Sequence, residues 1–284
     1  MKRKFATLFC LSLACILFLT SCCNIVSITS ASINENNELI LSFSDGTTQN
    51  LGVVKDEKGE KEDSSNPLYG KIISFNGDSI CEARATNGGG YAKIIGENNN
   101  MIVENLGVSG GTIMYVEGKH CISRTVANMR EDADYIILEG GVNDLYKNRP
   151  LGTISEGYNA ILDDTTFYGA FENMLKQALI RFPGKKIGYI AVHKMTRYFD
   201  ANQAEENAYH AAIKCCQKWG IPVLDLNVSC PPFGYLRNDP DTKFIADLYT
   251  EDTTGTGVGD GWHPNEEGYK MYYVPQIEAW LKTL

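Results

Sequence analysis

The segment Lys71-Ile72-Ile73-Ser74-Phe75-Asn76-Gly77-Asp78-Ser79 decides the fold. A short apolar run stops at Asn-Gly-Asp, the punctuation of a buried strand running into a turn. Outward from it the pattern repeats. A helix begins over Gly90 to Gly96, and a second strand spans Met101 to Glu104. A helix around His120 to Arg130 precedes a third strand, Tyr135 to Leu138. A helix over Thr166 to Arg181 leads to a fourth strand, Lys186 to Val192. The helix Asn202 to Trp219 leads to a fifth, Pro222 to Leu226, and Asn265 to Leu284 closes the chain as a helix. Strand–helix alternation implies a parallel sheet covered on both faces. The expected fold is therefore α/β: three layers, α/β/α, around a five-stranded parallel sheet, flavodoxin-like.

Composition agrees. The chain has 284 residues, 43% hydrophobic and 21% charged, which suits a globular protein and excludes a disordered one. Its net charge of −9 argues against a nucleic-acid partner, because phosphate binding needs a basic surface.

The N-terminus reads as targeting sequence. Lys2, Arg3 and Lys4 precede an apolar run, Phe5 to Leu19, that is short for a membrane span. The run ends in Leu19-Thr20-Ser21-Cys22, which resembles a bacterial lipobox. That resemblance implies a signal peptide over 1–21, lipidation of Cys22, and a membrane-anchored protein at the cell surface. An ordinary secretory signal cut nearby, or an uncleaved anchor, stays open. Cleavage before Cys22 would take the formal charge from −9 to −12 by removing Lys2, Arg3 and Lys4. Residues 22–66 form a tether with a small hairpin: Leu39 to Phe43, the turn Asp45-Gly46, and Thr47 to Val54, then a polar linker from Lys55 to Asn66. Residues 67–284 are expected to form the main domain. Its five cysteines, Cys81, Cys121, Cys215, Cys216 and Cys230, show no Cys-x-x-Cys spacing and are expected as free thiols, with one disulfide allowed.

Ligands of open α/β sheets bind beyond the carboxyl ends of the strands. Asn76-Gly77-Asp78-Ser79 follows the first strand, and Asn105-Leu106-Gly107-Val108-Ser109-Gly110-Gly111 the second. Glu139-Gly140-Gly141-Val142-Asn143-Asp144 follows the third and His193 the fourth, while Asp260-Gly261-Trp262-His263-Pro264 precedes the last helix. One sheet edge thus gathers a hydroxyl, an imidazole, a carboxylate, an amide and glycine-rich backbone, the parts of acyl transfer through a serine.

Four of these blocks, in this chain order, resemble the GDSL or SGNH hydrolases: Ser79 in Gly-Asp-Ser, Gly107 in Asn-x-Gly, Asn143 in Gly-x-Asn-Asp, and His263 in Asp-x-x-His-Pro. The resemblance runs from about residue 70 to the C-terminus; Ile80 stands where the family motif has leucine. It implies the SGNH hydrolase fold and a serine esterase. Ser79 would be the nucleophile, His263 the base and then acid, and Asp260 the group that orients the imidazole. The oxyanion would be met by the Ser79 N–H, the Gly107 N–H and the Asn143 amide. His193, Arg197 and Trp262 are candidate substrate contacts. No metal or other cofactor is implied.

Singly, each residue has a plainer reading: Ser79 as a helix N-cap, Asn143 as a turn residue, Gly107 as a turn glycine. A competing nucleophile is Ser109, because Gly107-Val108-Ser109-Gly110-Gly111 also fits Gly-x-Ser-x-Gly. The expected substrate is an ester on a carbohydrate or the cell envelope, small or polymeric, such as an O-acetyl group. A lipase or lysophospholipase, or a non-catalytic binding lipoprotein, is the alternative.

Overall fold

The structure is a computed structural model. It describes residues 26–36, 38–53, 65–86, 89–145, 149–195 and 204–284. The chain divides into two compact units, residues 1–62 and 63–284.

The first unit is an antiparallel meander of β1 (Ile28–Ile33), β2 (Glu38–Phe43) and β3 (Thr48–Val53). Turns with side-chain locks join them: Asn34 Oδ1 accepts from the amides of Asn36 and Glu38, and Asp45 Oδ1 from that of Thr47. The expected hairpin is thus two strands of a three-stranded sheet. β1, Ile-Thr-Ser-Ala-Ser-Ile, was invisible to hydrophobic patterning because all six residues are exposed.

The second unit holds five parallel strands: β4 (Ile72–Asn76), β5 (Ile102–Asn105), β6 (Tyr135–Glu139), β7 (Lys186–Ala191) and β8 (Val223–Asp225), in the order β5-β4-β6-β7-β8. This is the flavodoxin-like order, in which the direction of winding reverses between β4 and β6. β6 is buried along its whole length, so its apolar run feeds both faces. Ile136 and Leu138 enter one core, with Phe171, Met174 and Leu175 of the helix Phe167–Arg181 and the alanines of the helix Ala204–Trp219. Tyr135 and Ile137 enter the other, with Tyr91 and Ile95 of the helix Gly90–Asn99 and Ile277 and Leu281 of the helix Val274–Leu281. Each such fully buried aliphatic side chain is worth about 1.5–3 kcal/mol. Three layers result. The five free cysteines fit this arrangement as thiols, four of them buried.

Three elements depart from the sequence reading. The helix expected over His120 to Arg130 is only Ile122–Thr125 followed by a 3₁₀ turn, Val126–Asn128. The C-terminal helix is broken: Glu266–Gly268 widens into a π turn, Tyr269–Tyr273, before Val274–Leu281. Pro275 explains the widening, because it has no N–H to bond the carbonyl one turn back. Three short helices, Leu226–Ser229, Phe233–Arg237 and Lys243–Tyr249, fill a stretch to which the patterning assigns nothing. Among the described residues no helix is long and apolar enough to cross a membrane.

Candidate active site

The turn after β4 sits at the reversal of strand order. Asp78, not Ser79, caps the four-residue helix Ser79–Glu82, its Oδ1 accepting from the Ile80 amide at 3.0 Å. The Ser79 hydroxyl is therefore spared capping and lies 3.0 Å from His263 Nε2. Gly77 is obligatory: a Cβ there would stand 2.3 Å from Glu139 Oε2 and 2.6 Å from Cys81 Cβ. Gly107 is too, because its Cβ would fall 2.3 Å from the Glu82 amide nitrogen. The second glycine-bearing block is thus pressed against the backbone of the nucleophile turn.

His263 lies on the loop before the last helix. Asp260 Oδ1 accepts from the amides of Trp262 (2.7 Å) and His263 (2.9 Å), and Oδ2 stands 2.6 Å from His263 Nδ1. Burial alone would push the Asp260 carboxyl up, but these bonds outweigh it and hold it below the usual carboxylate range. An ionised Asp260 makes Nδ1 the donor and leaves Nε2 as the acceptor that faces the hydroxyl. Glu251, not singled out in the sequence, places Oε2 3.7 Å from the same Nδ1. The ligand atoms of Glu251, Asp260 and His263 all fall within 4.8 Å of one another. A cation could sit among such groups, but the 2.6 Å separation of Nδ1 and Oδ2 is that of a shared proton.

The three expected oxyanion donors lie around the nucleophile, and two of them are engaged. Gly107 N–H donates to Asn105 Oδ1 at 2.9 Å. Asn143 Nδ2 donates to the Gly111 carbonyl at 3.0 Å and approaches Asp78 Oδ2 at 3.4 Å. The Ser79 amide opens the helix that follows Asp78.

Beneath the turn are three fully buried acids. Glu139 Oε2 accepts from the amides of Asp78 (3.2 Å) and Cys81 (3.1 Å). Burial and then the neighbouring Asp78 drive its carboxyl well up, and burial raises Asp78 as well. Asp144 accepts from the amides of Ile113 (3.1 Å) and Met114 (2.7 Å) and is pushed up to about 7 by burial. These scaffolding roles were missed in the sequence. The available signal was an acid, Glu139, at the end of a wholly apolar strand.

The candidate substrate contacts fare differently. His193 does follow β7, but it is fully buried: Nδ1 lies 2.6 Å from Tyr273 Oη, the ring packs on Phe233, and burial pushes it down to about 3. It sits as a core histidine, because burial disfavours its charged form. Trp262 is also buried, its Nε1–H on the Met195 carbonyl at 2.8 Å, so its face is not free to stack on a sugar. Arg197 and Cys22 lie outside the described residues. The competing Ser109 is exposed and bonded through both its amide and its hydroxyl to the Glu82 carboxylate.

Residues 75–271 match the model of the GDSL-like lipase/acylhydrolase family. Several solved structures share the fold. A protein from Lactobacillus plantarum has a TM-score of 0.60 at 24% identity, over 76% of this chain and 98% of its own. A candidate GDSL-like lipase from Bacteroides uniformis has a TM-score of 0.53 at 16% identity, over 76% and 97%. A candidate lipase from Chitinophaga pinensis has 0.53 at 19%, over 75% and 98%. No curated protein matches the chain.

Proposed function

The chain belongs to the GDSL-like lipase/acylhydrolase family, whose members cleave ester bonds, and on that premise we propose that it is a serine esterase acting through Ser79, His263 and Asp260. The supporting observation is one unbroken line of contacts: Asp260 Oδ2 to His263 Nδ1 at 2.6 Å, and Nε2 to Ser79 Oγ at 3.0 Å. A serine hydroxyl is a weak nucleophile until a base takes its proton. As Oγ bonds to the ester carbonyl carbon, its proton passes to Nε2. Asp260 stabilises the imidazolium that forms. The imidazolium then protonates the leaving alcohol as the C–O bond breaks, leaving acyl-Ser79. Water, deprotonated by His263, attacks the acyl carbon; the C–Oγ bond breaks, the carboxylic acid leaves, and the imidazolium returns the proton to Ser79 Oγ.

The tetrahedral oxyanion is met by the Ser79 N–H and Asn143 Nδ2. The Gly107 N–H joins them by trading its bond to Asn105 Oδ1. Each donor is worth on the order of 10²- to 10³-fold in rate.

The substrate we propose is a short-acyl ester, such as an acetyl group, on a carbohydrate or envelope polymer outside the cell. The N-terminal sequence supports this: the run Phe5 to Leu19 and the Leu-Thr-Ser-Cys stretch ending at Cys22 suit an exported protein anchored by lipid. Residues 22–66 would then be the tether and 67–284 the catalytic domain. Fatty-acid labelling tests the anchor; a Cys22→Ala protein that still labels would refute it. The activity is tested with p-nitrophenyl esters from acetate to palmitate and with acetylated xylan, pectin and peptidoglycan. Short acyl groups should be released, and Ser79→Ala should release none. Equal hydrolysis by Ser79→Ala, or no labelling by a fluorophosphonate, overturns the serine mechanism. A preference for palmitate would leave the mechanism and replace the substrate with a lipid.

A further inference from the structure

Behind His263, on the side away from Ser79, stand two carboxylates. Asp260 Oδ2 is 2.6 Å from Nδ1 and Glu251 Oε2 is 3.7 Å from it. Glu251 Oε2 is buried and makes no hydrogen bond. A buried carboxylate oxygen without a donor is costly unless a charge compensates it.

Glu251 does not reach this place by chance of a flexible side chain. Its N–H donates to the His263 carbonyl at 2.8 Å, and its own carbonyl accepts from the Asp260 N–H at 2.7 Å. Its neighbour Thr250 pairs with Pro264 across the loop, and Thr250 Oγ1 accepts from the Gly261 amide at 3.0 Å. The backbone of residue 251 is thus laced to both members of the Asp-x-x-His block. Arg84 Nε lies 3.4 Å from the same Oε2. Arg84 follows the nucleophile helix, and its N–H donates to the Ser79 carbonyl at 3.2 Å. One ion pair therefore joins the serine segment to the histidine loop.

We propose that Glu251 is a positioning residue for His263: a second carboxylate that shares the imidazolium charge with Asp260 and accepts the Nδ1 proton's bond when Asp260 is lost, while Arg84 sets how much of its charge the ring feels. This rests on His263 being the base. No bond to substrate is made or broken by Glu251. Among the described residues, the charged and titratable groups facing His263 are the Ser79 hydroxyl at Nε2, Asp260 and Glu251 at Nδ1, Asp78 and His193 at longer range, and Arg84 through Glu251.

The signs follow from charge. A carboxylate near an imidazolium favours the protonated ring, so it moves the acid limb of kcat/KM to higher pH. Glu251→Gln should move that limb to lower pH by about one unit. Arg84→Gln, which uncovers the Glu251 charge, should move it the other way. Asp260→Asn should lose on the order of 10²-fold in kcat, and Asp260→Asn/Glu251→Gln on the order of 10⁴-fold, the loss that a triad without its acid shows.

The experiment is the pH profile of p-nitrophenyl acetate hydrolysis by these four variants, with Ser79→Ala as the blank. Opposite limb shifts in Glu251→Gln and Arg84→Gln support the proposal. A lowered rate with an unmoved limb in Glu251→Gln overturns it, as does a double variant no worse than Asp260→Asn alone. If the double variant does not fold, the limb shifts decide. Hydrolysis by Ser79→Ala at the wild-type rate would instead sink the serine–histidine reading, so the two failures are distinguishable.

Discussion

Two sets of carboxyl groups flank the Ser79–His263 hydrogen bond, and the same functional group does opposite work in each. Under Ser79, Asp78, Glu139 and Asp144 are fully buried, and burial drives all three upward, toward the protonated form. Beside His263, Asp260 is held low despite its partial burial, because a ring N–H and two amides converge on it. Nearby Asp252 is exposed and is lowered to about 2, chiefly by the Gly257 amide and further by those of Thr254 and Thr256. Glu139 also receives two amides, yet it rises. The difference is water and neighbours: complete desolvation and the adjacent Asp78 outweigh two neutral donors. The raised acids hold backbone amides in place. A carboxyl kept ionised can stabilise a cation that appears during the reaction. The serine side is a scaffold and the histidine side an electrostatic device.

The sharpest way to break this division is to remove one residue from each side and read activity and stability separately. Ser79→Ala should cut kcat on p-nitrophenyl acetate on the order of 10⁵-fold or more, with the melting temperature almost unmoved. Glu139→Ala should be a stability mutant. It strips the acceptor from the amides of Asp78 and Cys81 and leaves a hole beside Gly77. The cost is about 3 kcal/mol, or about 6–12 °C in a domain of this size, read by calorimetry. Glu139→Gln keeps an acceptor oxygen and should lose less than half of that. If Glu139→Ala melts with wild type, the buried acids are not the scaffold.

A pH titration of stability sharpens the same contrast. Asp144 has its carboxyl at about 7 when folded and near 3.8 when unfolded, so between those values the native state holds a proton the unfolded chain has released. Stability from this group is complete below about pH 4 and is lost as pH rises through 7. Asp78 and Glu139 act in the same direction. Asp260 is the reverse: its contribution is complete above about pH 4 and is lost as pH falls through its lowered value. Urea denaturation should therefore show stability falling by on the order of a few kcal/mol between pH 5 and 8. Asp144→Asn should flatten that slope, and an unchanged slope would remove Asp144 from the account.

The two sides were also unequally legible. The parallel sheet was readable because β6 and β7 are apolar on both faces, and Ser79, Asn143 and His263 because each stands in a short block at a strand end or before the last helix. Asp260 was readable by its spacing of three from His263. Glu251 was not, because it comes to His263 through backbone pairing across an intervening Gly-rich loop that has no periodicity. The depth of His193 was hidden too. A histidine after a strand reads as a pocket residue, and only the π turn, which brings Tyr273 against it, shows that the ring is core. β1 escaped notice because a wholly exposed strand leaves no hydrophobic signal.

The smallest effect expected is the one that settles which serine the sequence was pointing to. Gly107-Val108-Ser109-Gly110-Gly111 has the spacing of a nucleophile elbow and follows a strand, as that motif requires. Geometry separates it from Ser79. An elbow serine must present its hydroxyl to a histidine, and the Ser109 hydroxyl is instead spent on Glu82, whose carboxylate also takes the Ser109 amide, at 2.8 Å. That pairing ties the glycine-rich loop to the end of the nucleophile helix through a surface contact. Losing one exposed hydroxyl of such a pair shifts free energy by about 0.5 kcal/mol or less, so Ser109→Ala should change kcat/KM by about twofold at most. A loss rivalling that of Ser79→Ala would transfer the nucleophile to β5, the edge strand, and with it dissolve the scaffold that the buried acids build under Ser79.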